Sequence, residues 1–341
     1  MRPNRESGFS LVEVTVALAI VSGIMIIAYS LMEQTMRTAM FNESQNDLAV
    51  MAQRAVNELQ SELLETRVVF EENALGQGYR SAMQLPASAG VRAGSLLPLI
   101  ETDTELAPDA AGARRTGNAL LVARQLAPLS VLYDHDGTST TPDIEFLADR
   151  YRFDYVFLSP QPGSSFARRG PTLDLMMATS RDYADYFQLN AMGPHLDTLA
   201  QKLMANGLER AWNPGQPVDE AFHTLSGALD GSFDAPLRNP RIDVLRVRSL
   251  LPGVRGGRVS GAMSFSVAFV PPAPASSLPI RLPVSVYAPA DIAGPGFPAG
   301  FEVKVAGPAG HRRALTRLVL ASHYGVSSYT SQQAFVTTAI R

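Results

Sequence analysis

From Phe9 to Met32 apolar side chains run almost unbroken for 24 residues, and Glu13 is the only charged one among them. At a 1.5 Å rise per residue the stretch is about 36 Å long, enough to cross a ~30 Å hydrocarbon core. The pattern predicts a membrane-spanning helix. Arg2 and Arg5 precede it against a single Glu6, so the leader should stay cytoplasmic and the rest should face outward. A charge inside such a helix costs about 2.5–3.5 kcal/mol. Glu13 lies one turn from Phe9, so its carboxylate either snorkels to the interface or meets a positive partner inside the membrane or an assembly.

From Glu33 to Arg67 the pattern stays helical and turns amphipathic. Leu48, Met51, Ala52, Ala55, Leu59 and Leu63 recur at steps of three and four, with Asn, Gln, Glu and Arg between them. No proline falls within residues 9–66, and Gly23 is the one glycine. The spacing predicts a continuous helix of about 58 residues, about 87 Å long. Its first half suits a membrane or filament core, and its second half suits packing against a globular domain.

Beyond it, Gly76, Gly78, Pro86, Gly90, Gly94, Pro98 and Pro108 break any long element, so residues 68–118 read as loops with one or two short strands. Strand patterns then dominate. Ala119–Gln125 is an apolar run suited to a buried strand. Tyr151, Phe153, Tyr155 and Phe157 alternate with Arg152, Asp154, Val156 and Leu158. Leu173–Thr179 is a further strand. Asp182–Met192 and His195–Trp212 read as helices, the second ended by Asn213-Pro214-Gly215. Strands return at Ile242–Leu250, Val259–Val270, Ile280–Tyr287, Phe301–Ala306 and Ala334–Ile340, and Arg313–Ser322 suits strand or helix. Pro271-Pro272-Ala273-Pro274 and Ala288–Gly300 read as surface connections. No fixed-period repeat is present. The fold class is α+β, a long N-terminal helical spine with an antiparallel β-sheet head that contains a helical insertion.

Composition narrows the function. Of 341 residues 46% are hydrophobic and 18% charged, enough apolar material for a packed core. The net charge of −3 gives no broad electrostatic reason to bind nucleic acid. Cysteine is absent, which excludes disulfides, thiolate nucleophiles and cysteine-held metal. Lys202 and Lys304 are the only lysines.

Gly8-Phe9-Ser10-Leu11-Val12-Glu13-Val14 resembles the cleavage and methylation signature of type IV prepilins and type II secretion pseudopilins. The match covers a basic leader, Gly at its last position, Phe at the first mature position and Glu at the fifth. The resemblance implies that a prepilin peptidase cuts between Gly8 and Phe9 and methylates the Phe9 amine. It implies that Glu13 offsets the Phe9 amine of a neighbouring subunit during assembly, since opposite charges in low dielectric relieve each other's desolvation. It further implies an inner-membrane, single-pass subunit with a periplasmic or otherwise extracytoplasmic head, whose partners are other pilin or pseudopilin subunits, the prepilin peptidase, an inner-membrane assembly platform and membrane lipid. The resulting division is residues 1–8 leader, 9–32 transmembrane or filament-core half-helix, 33–67 amphipathic half-helix and 68–341 head. Ser22, Gly23 and Ser30 stand where many major pilins carry a kinking proline, which favours a minor subunit. The closing run Phe335–Arg341 resembles the last strand of minor subunits of the PilW or pseudopilin J type. Two alternatives stay open: signal-peptidase cleavage after the small-x-small Ala28-Tyr29-Ser30, and an uncleaved anchor carrying an extracytoplasmic binding protein, adhesin or enzyme.

Candidate chemistry in the head is sparse, and no enzyme is expected. His135, His195, His223, His311 and His323 are scattered without metal-ligand spacing. Gly294-Pro295-Gly296 lacks the strand-to-helix setting of a dinucleotide loop, and Gly163-Ser164-Ser165-Phe166-Ala167 only approximates a nucleophile elbow. Asp134, Asp136, Asp143 and Glu145 are weak calcium candidates: counting Asp134 as position 1 puts Asp136 at 3 and Glu145 at 12, but the glycine falls at 4 and Pro142 intrudes. A solvated Asp-Gly turn between two strands is the plainer reading. Arg241, Arg246, Arg248, Arg255 and Arg258 form one basic group, and Arg312, Arg313 and Arg317 another. They suit the wet face of a strand, salt bridges to carboxylates, lipid contact, or phosphate contacts to DNA.

Overall fold

The computed structural model describes residues 10–102, 106, 115–134, 143–160, 173–251, 263–267, 300–324 and 328–340, with the backbone alone at 44, 263–267 and 321–340. Helix α1 (Leu11–Leu64) opens the chain. The chain divides into two compact units, Met1–Asp47 and Leu48–Arg341, so the boundary falls inside α1. In the first unit the apolar side chains are exposed, Leu11 at 84% and Ile26 at 71%. An apolar surface left bare in this way needs lipid or protein around it. One helix among the described residues is long and apolar enough to cross a membrane, and it is α1.

Within the second unit, α1 ends at Leu64 and the chain turns into β1 (Thr66–Val69). Three β-branched residues, Thr66, Val68 and Val69, follow in four positions, and they favour a pleated strand over a further helical turn. Then come α2 (Ala74–Ala82), β2 (Ile100–Glu101), β3 (Leu120–Tyr133), β4 (Ile144–Pro160) and β5 (Leu173–Asp185). The insertion holds α3 (Tyr186–Asn190), α4 (Leu196–Ala205), β6 (Arg210–Trp212), α5 (Val218–Ala221), β7 (Phe222–Thr224) and α6 (Gly227–Asp230). The chain closes with β8 (Val244–Ser249), β9 (Met263–Val267), β10 (Phe301–Ala306), β11 (Arg312–Tyr324) and β12 (Ser328–Ile340).

The strands join one sheet in the order β1-β3-β4-β5-β9-β11-β10-β2, with β12 along β11 and β8 and β6 beside β5. Pairing is antiparallel except for β2 with β10 and β5 with β6, which makes the sheet mixed. The two-residue alternation of β4 sorts its side chains to opposite faces. Val156 and Leu158 share a buried cluster with Leu48, Ala52, Ala55, Val56, Leu59 and Leu63 of α1. Tyr151, Phe153, Tyr155 and Phe157 fill a second cluster with Tyr79 of α2, Trp212 of β6 and Phe222 of β7. The sheet is therefore covered by α1 on one face and by α2 and the insertion on the other.

Several elements depart from the sequence pattern. α2 forms inside the stretch read as loops, because Asn73 caps it by accepting from Gly76 N and the buried Tyr79 anchors it. Residues 182–185 extend β5 instead of opening a helix, since Tyr183 and Ala184 pair with Tyr151 and Arg150 of β4. The second insertion helix stops at Ala205, where Asn206-Gly207 turns the chain into β6; Gly207 has φ +84°. Arg313–Ser322 lies wholly in strand β11. Ile280–Tyr287 and the two Pro/Gly-rich connections lie outside the described residues.

Candidate functional site

The start of α1 carries a reciprocal pair of hydrogen bonds. Ser10 N donates to Glu13 Oε2 at 2.9 Å, and Glu13 N donates to Ser10 Oγ at 3.2 Å. The Ser10 carbonyl accepts from Val14 N at 3.2 Å, the first intrahelical bond. Ser10-Leu11-Val12-Glu13 is thus a capping box, in which residues three apart satisfy each other's orphan backbone donors. The sequence contained this signal, a Ser with Glu three residues on, and reading it only as a cleavage motif passed over Ser10.

The same economy continues along the apolar stretch. Thr15 Oγ1 donates to the Leu11 carbonyl at 2.7 Å, Ser30 Oγ to Ile27 at 2.8 Å and Thr35 Oγ1 to Leu31 at 2.8 Å. Hydroxyls bonded back to their own helix can enter hydrocarbon without an unmet donor. Between Glu13 and Glu33 the helix has no Asp, Glu, Lys, Arg or His. Glu33 then pairs with Arg37 one turn on, at 2.5 Å. Ala28-Tyr29-Ser30 lies within α1. Gly8 and Phe9 lie outside the described residues.

A second polar constellation joins the last turns of α1 to the sheet. Glu58 and Glu62 lie one turn apart on the helix, and Glu65 follows its last residue. Arg124 of β3 reaches Glu62 at 2.6 Å, Glu65 at 3.1 Å and Asp154 of β4 at 3.1 Å. Arg248 of β8 pairs with Glu58, and with Glu62 at 3.5 Å. Burial raises the pKa of both Glu62 and Asp154, with Arg124 pulling against it. The arrangement holds a helix on a sheet.

The remaining candidates separate on the same grounds. Arg248 and Arg317 are not solvated strand residues: Arg317 pairs with Glu302 at 2.6 Å, both almost wholly buried across β10 and β11. Arg241, Arg246 and Arg313 are exposed, while Arg255 and Arg258 lie outside the described residues. Tyr133 pairs with Ile144, so Asp134 and Asp143 stand at the two ends of the connection between β3 and β4. Glu145 accepts from Ser130 Oγ at 2.6 Å across that hairpin. Strands, not the helices of a calcium hand, flank this segment, and Asp136 lies outside the described residues. Among the described residues no three of His, Asp and Glu gather as metal ligands. His223 is buried, stacked on Tyr186, and its Nδ1 is 2.9 Å from the Phe233 carbonyl oxygen. A groove of about 410 Å³ beside α4 and α6 is lined by Asp197 and Asp234 among others. Those carboxylates already accept from Thr198 N at 2.6 Å and Tyr186 Oη at 3.2 Å. Gly163–Ala167 and Gly294–Gly296 lie outside the described residues.

Residues 3–29 match the prokaryotic N-terminal methylation motif. No curated protein and no solved structure matches the chain. The motif, carried into an apolar helix, indicates a type IV pilin- or pseudopilin-like precursor. A motif of this kind implies processing by a prepilin peptidase and assembly with other pilin subunits, and the apolar helix suggests membrane anchoring.

Proposed function

We propose that this protein is a minor pilin or pseudopilin, a non-catalytic structural subunit held in the inner membrane by a single pass with its head outside the cytoplasm. After cleavage between Gly8 and Phe9 and methylation of Phe9, it joins a type IV pilus or type II secretion pseudopilus through α1. The observation that carries the reading is the exposed apolar surface of Leu11–Met32 with Glu13 as its one charge, inside the methylation motif. Apolar faces pack in the filament core. Pairing of Glu13 with a Phe9 amine selects axial register, because a misregistered subunit leaves both charges buried and unpaired. The inner-membrane assembly platform is the remaining partner.

The test is N-terminal mass spectrometry of protein from native membranes, followed by filament incorporation of Glu13→Ala. The reading expects a methylated Phe9 start and a Glu13→Ala variant that inserts in the membrane but is lost from filaments. An intact Met1, a start at Leu31, or normal incorporation of the variant overturns it.

A further inference from the structure

Among the described residues, five strands of the sheet pair on one side only: β1, β2, β7, β8 and β12. Unpaired N–H and C=O groups along such an edge are a template for another chain. Proteins blunt them by keeping the strand short, or by placing a charge, a proline or a bulge on it. Four of the five are blunted. β1, β2, β7 and β8 run for 4, 2, 3 and 6 residues, and Arg67 lies in β1, Glu101 in β2, and Arg246 and Arg248 in β8. β12 has none of these devices. It runs for 13 residues, where strands usually have about 3–10. Its pairing with β11, from Arg312 with Ile340 to Tyr324 with Ser328, shows no register shift. The other side of β11 is taken by β10 and β9, so β12 ends the sheet there. Ser328–Ile340 holds no Asp, Glu, Lys, Arg, His, Pro or Gly, and Tyr329, Phe335, Val336, Thr337, Thr338 and Ile340 are strand formers.

We propose that the outer edge of β12 is a docking strand for a second copy of this chain, the two β12 strands pairing antiparallel with Ala334 opposite the partner subunit's Ala334. Matching fixes the occupant. A shorter strand would leave N–H and C=O groups of β12 unpaired, and a charged one would bring an ion against a neutral edge. Among the described edges of this chain, β12 itself is the one that is both long and uncharged. The antiparallel register centred on Ala334 is the one that pairs every residue of both strands. It sets Ser331 opposite the partner's Thr337 and Thr330 opposite the partner's Thr338, and Thr–Ser and Thr–Thr pairs are favourable cross-strand neighbours. One patch meets its own copy, so the contact is isologous and closes at two chains. It draws on neither the apolar helix nor the cleavage motif. The inference therefore goes beyond the assembly reading and stands whether or not the leader is cut.

The test uses the full-length protein in detergent micelles. The chain has no cysteine, so a single introduced thiol reports on its own surroundings. In the proposed register the two Cα atoms at position 334 lie about 4.5–5.5 Å apart, within disulfide reach, and those at position 328 about 40 Å apart. Mild oxidation is expected to link Ala334→Cys chains in pairs at least about tenfold faster than Ser328→Cys chains. Equal rates, or no linked pair at position 334, overturn the proposal. A charge swap tests the register in a second way. Ser331→Lys with Thr337→Lys sets like charges opposite each other at both sites and should weaken association at least about tenfold. Ser331→Lys with Thr337→Glu sets opposite charges there and should return association to within about threefold of wild type. Sedimentation in density-matched detergent counts the protein chains in each complex. A wild type that stays single, or that assembles beyond two chains, overturns the proposal. So does loss of association in both double variants alike. A double-lysine variant that associates as wild type does assigns the contact to the apolar helix and overturns the docking strand.

Discussion

Arg124 Nη1 of β3 lies 2.6 Å from Glu62 Oε2 in the last turns of α1. The same guanidinium turns its Nε to Asp154 Oδ2 at 3.1 Å, so one side chain compensates a carboxylate of the helix and one of the sheet. Asp154 is 1% exposed and has no other cation as close. Removing the arginine would take from Asp154 its ion-pair partner and leave Glu62 with Arg248 at 3.5 Å.

Arg124→Met is therefore expected to destabilise the protein by about 3 kcal/mol, the scale of a broken buried ion pair. Arg124→Lys should fall between, since an ammonium keeps the charge but cannot offer the planar fork. Urea unfolding of the full chain in micelles measures both, as a lower midpoint at unchanged slope.

The pH dependence of Glu62 follows from its raised pKa. A carboxyl that holds its proton more tightly folded than unfolded gains stability as pH falls through the folded value, and the gain is complete below the unfolded value near 4.5. Wild type should therefore gain on Glu62→Gln as pH falls from about 7.5 to about 5. Asp154 is raised for the same reason, so the stability of both chains rises on acidification, and the difference between them isolates Glu62. Unfolding free energies of the pair at both pH values check the sign; a gap that shrinks on acidification contradicts it.

Tyr79 Oη accepts from Trp212 Nε1 at 2.9 Å and donates to the Gln216 carbonyl at 3.0 Å. Burial pushes its pKa up to about 12. Tyr79→Phe keeps the ring and strands a buried indole N–H, which should cost about 1–3 kcal/mol. Trp212 is the chain's single tryptophan, so its emission reports the change directly, as a shift in the folded spectrum together with a lower unfolding midpoint.

Gly117 exchanges backbone hydrogen bonds with Val303, both at 2.9 Å. A Cβ there would sit 2.5 Å from Pro98 N and 2.7 Å from the Leu97 carbonyl carbon. Gly117→Ala should cost about 1–3 kcal/mol through backbone displacement. Gly78 in α2 gives the contrast: its added Cβ would meet Val218 at an ordinary 3.5 Å. Gly78→Ala should stabilise by about 0.5–1 kcal/mol. Thermal unfolding of the two variants should shift in opposite directions.

The elements that could be read from the chain are those whose periodicity reflects a single neighbour. The heptad-like apolar positions from Leu48 to Leu63 meet one sheet face, and the aromatics of β4 meet one cluster on the other face. What the pattern concealed was set by pairing distant in sequence. Tyr183 and Ala184 look helical locally but are held extended by β4. Arg248 looks solvated beside Val247 yet faces Glu58, 190 residues earlier. Ser10 was hidden for another reason: its short-range hydrogen bonds lie inside a motif usually read for its chemistry.

The boundary within α1 also divides how its sequence can vary. Along Leu11–Met32 the apolar side chains are exposed, so an interchange of Leu, Ile and Val alters transfer energy little and disturbs no packed core within the chain. At Leu48, Ala52, Ala55, Val56, Leu59 and Leu63 the same interchange changes volume inside a closed cavity wall. One helix is thus under two substitution grammars, compositional before Asp47 and steric after it.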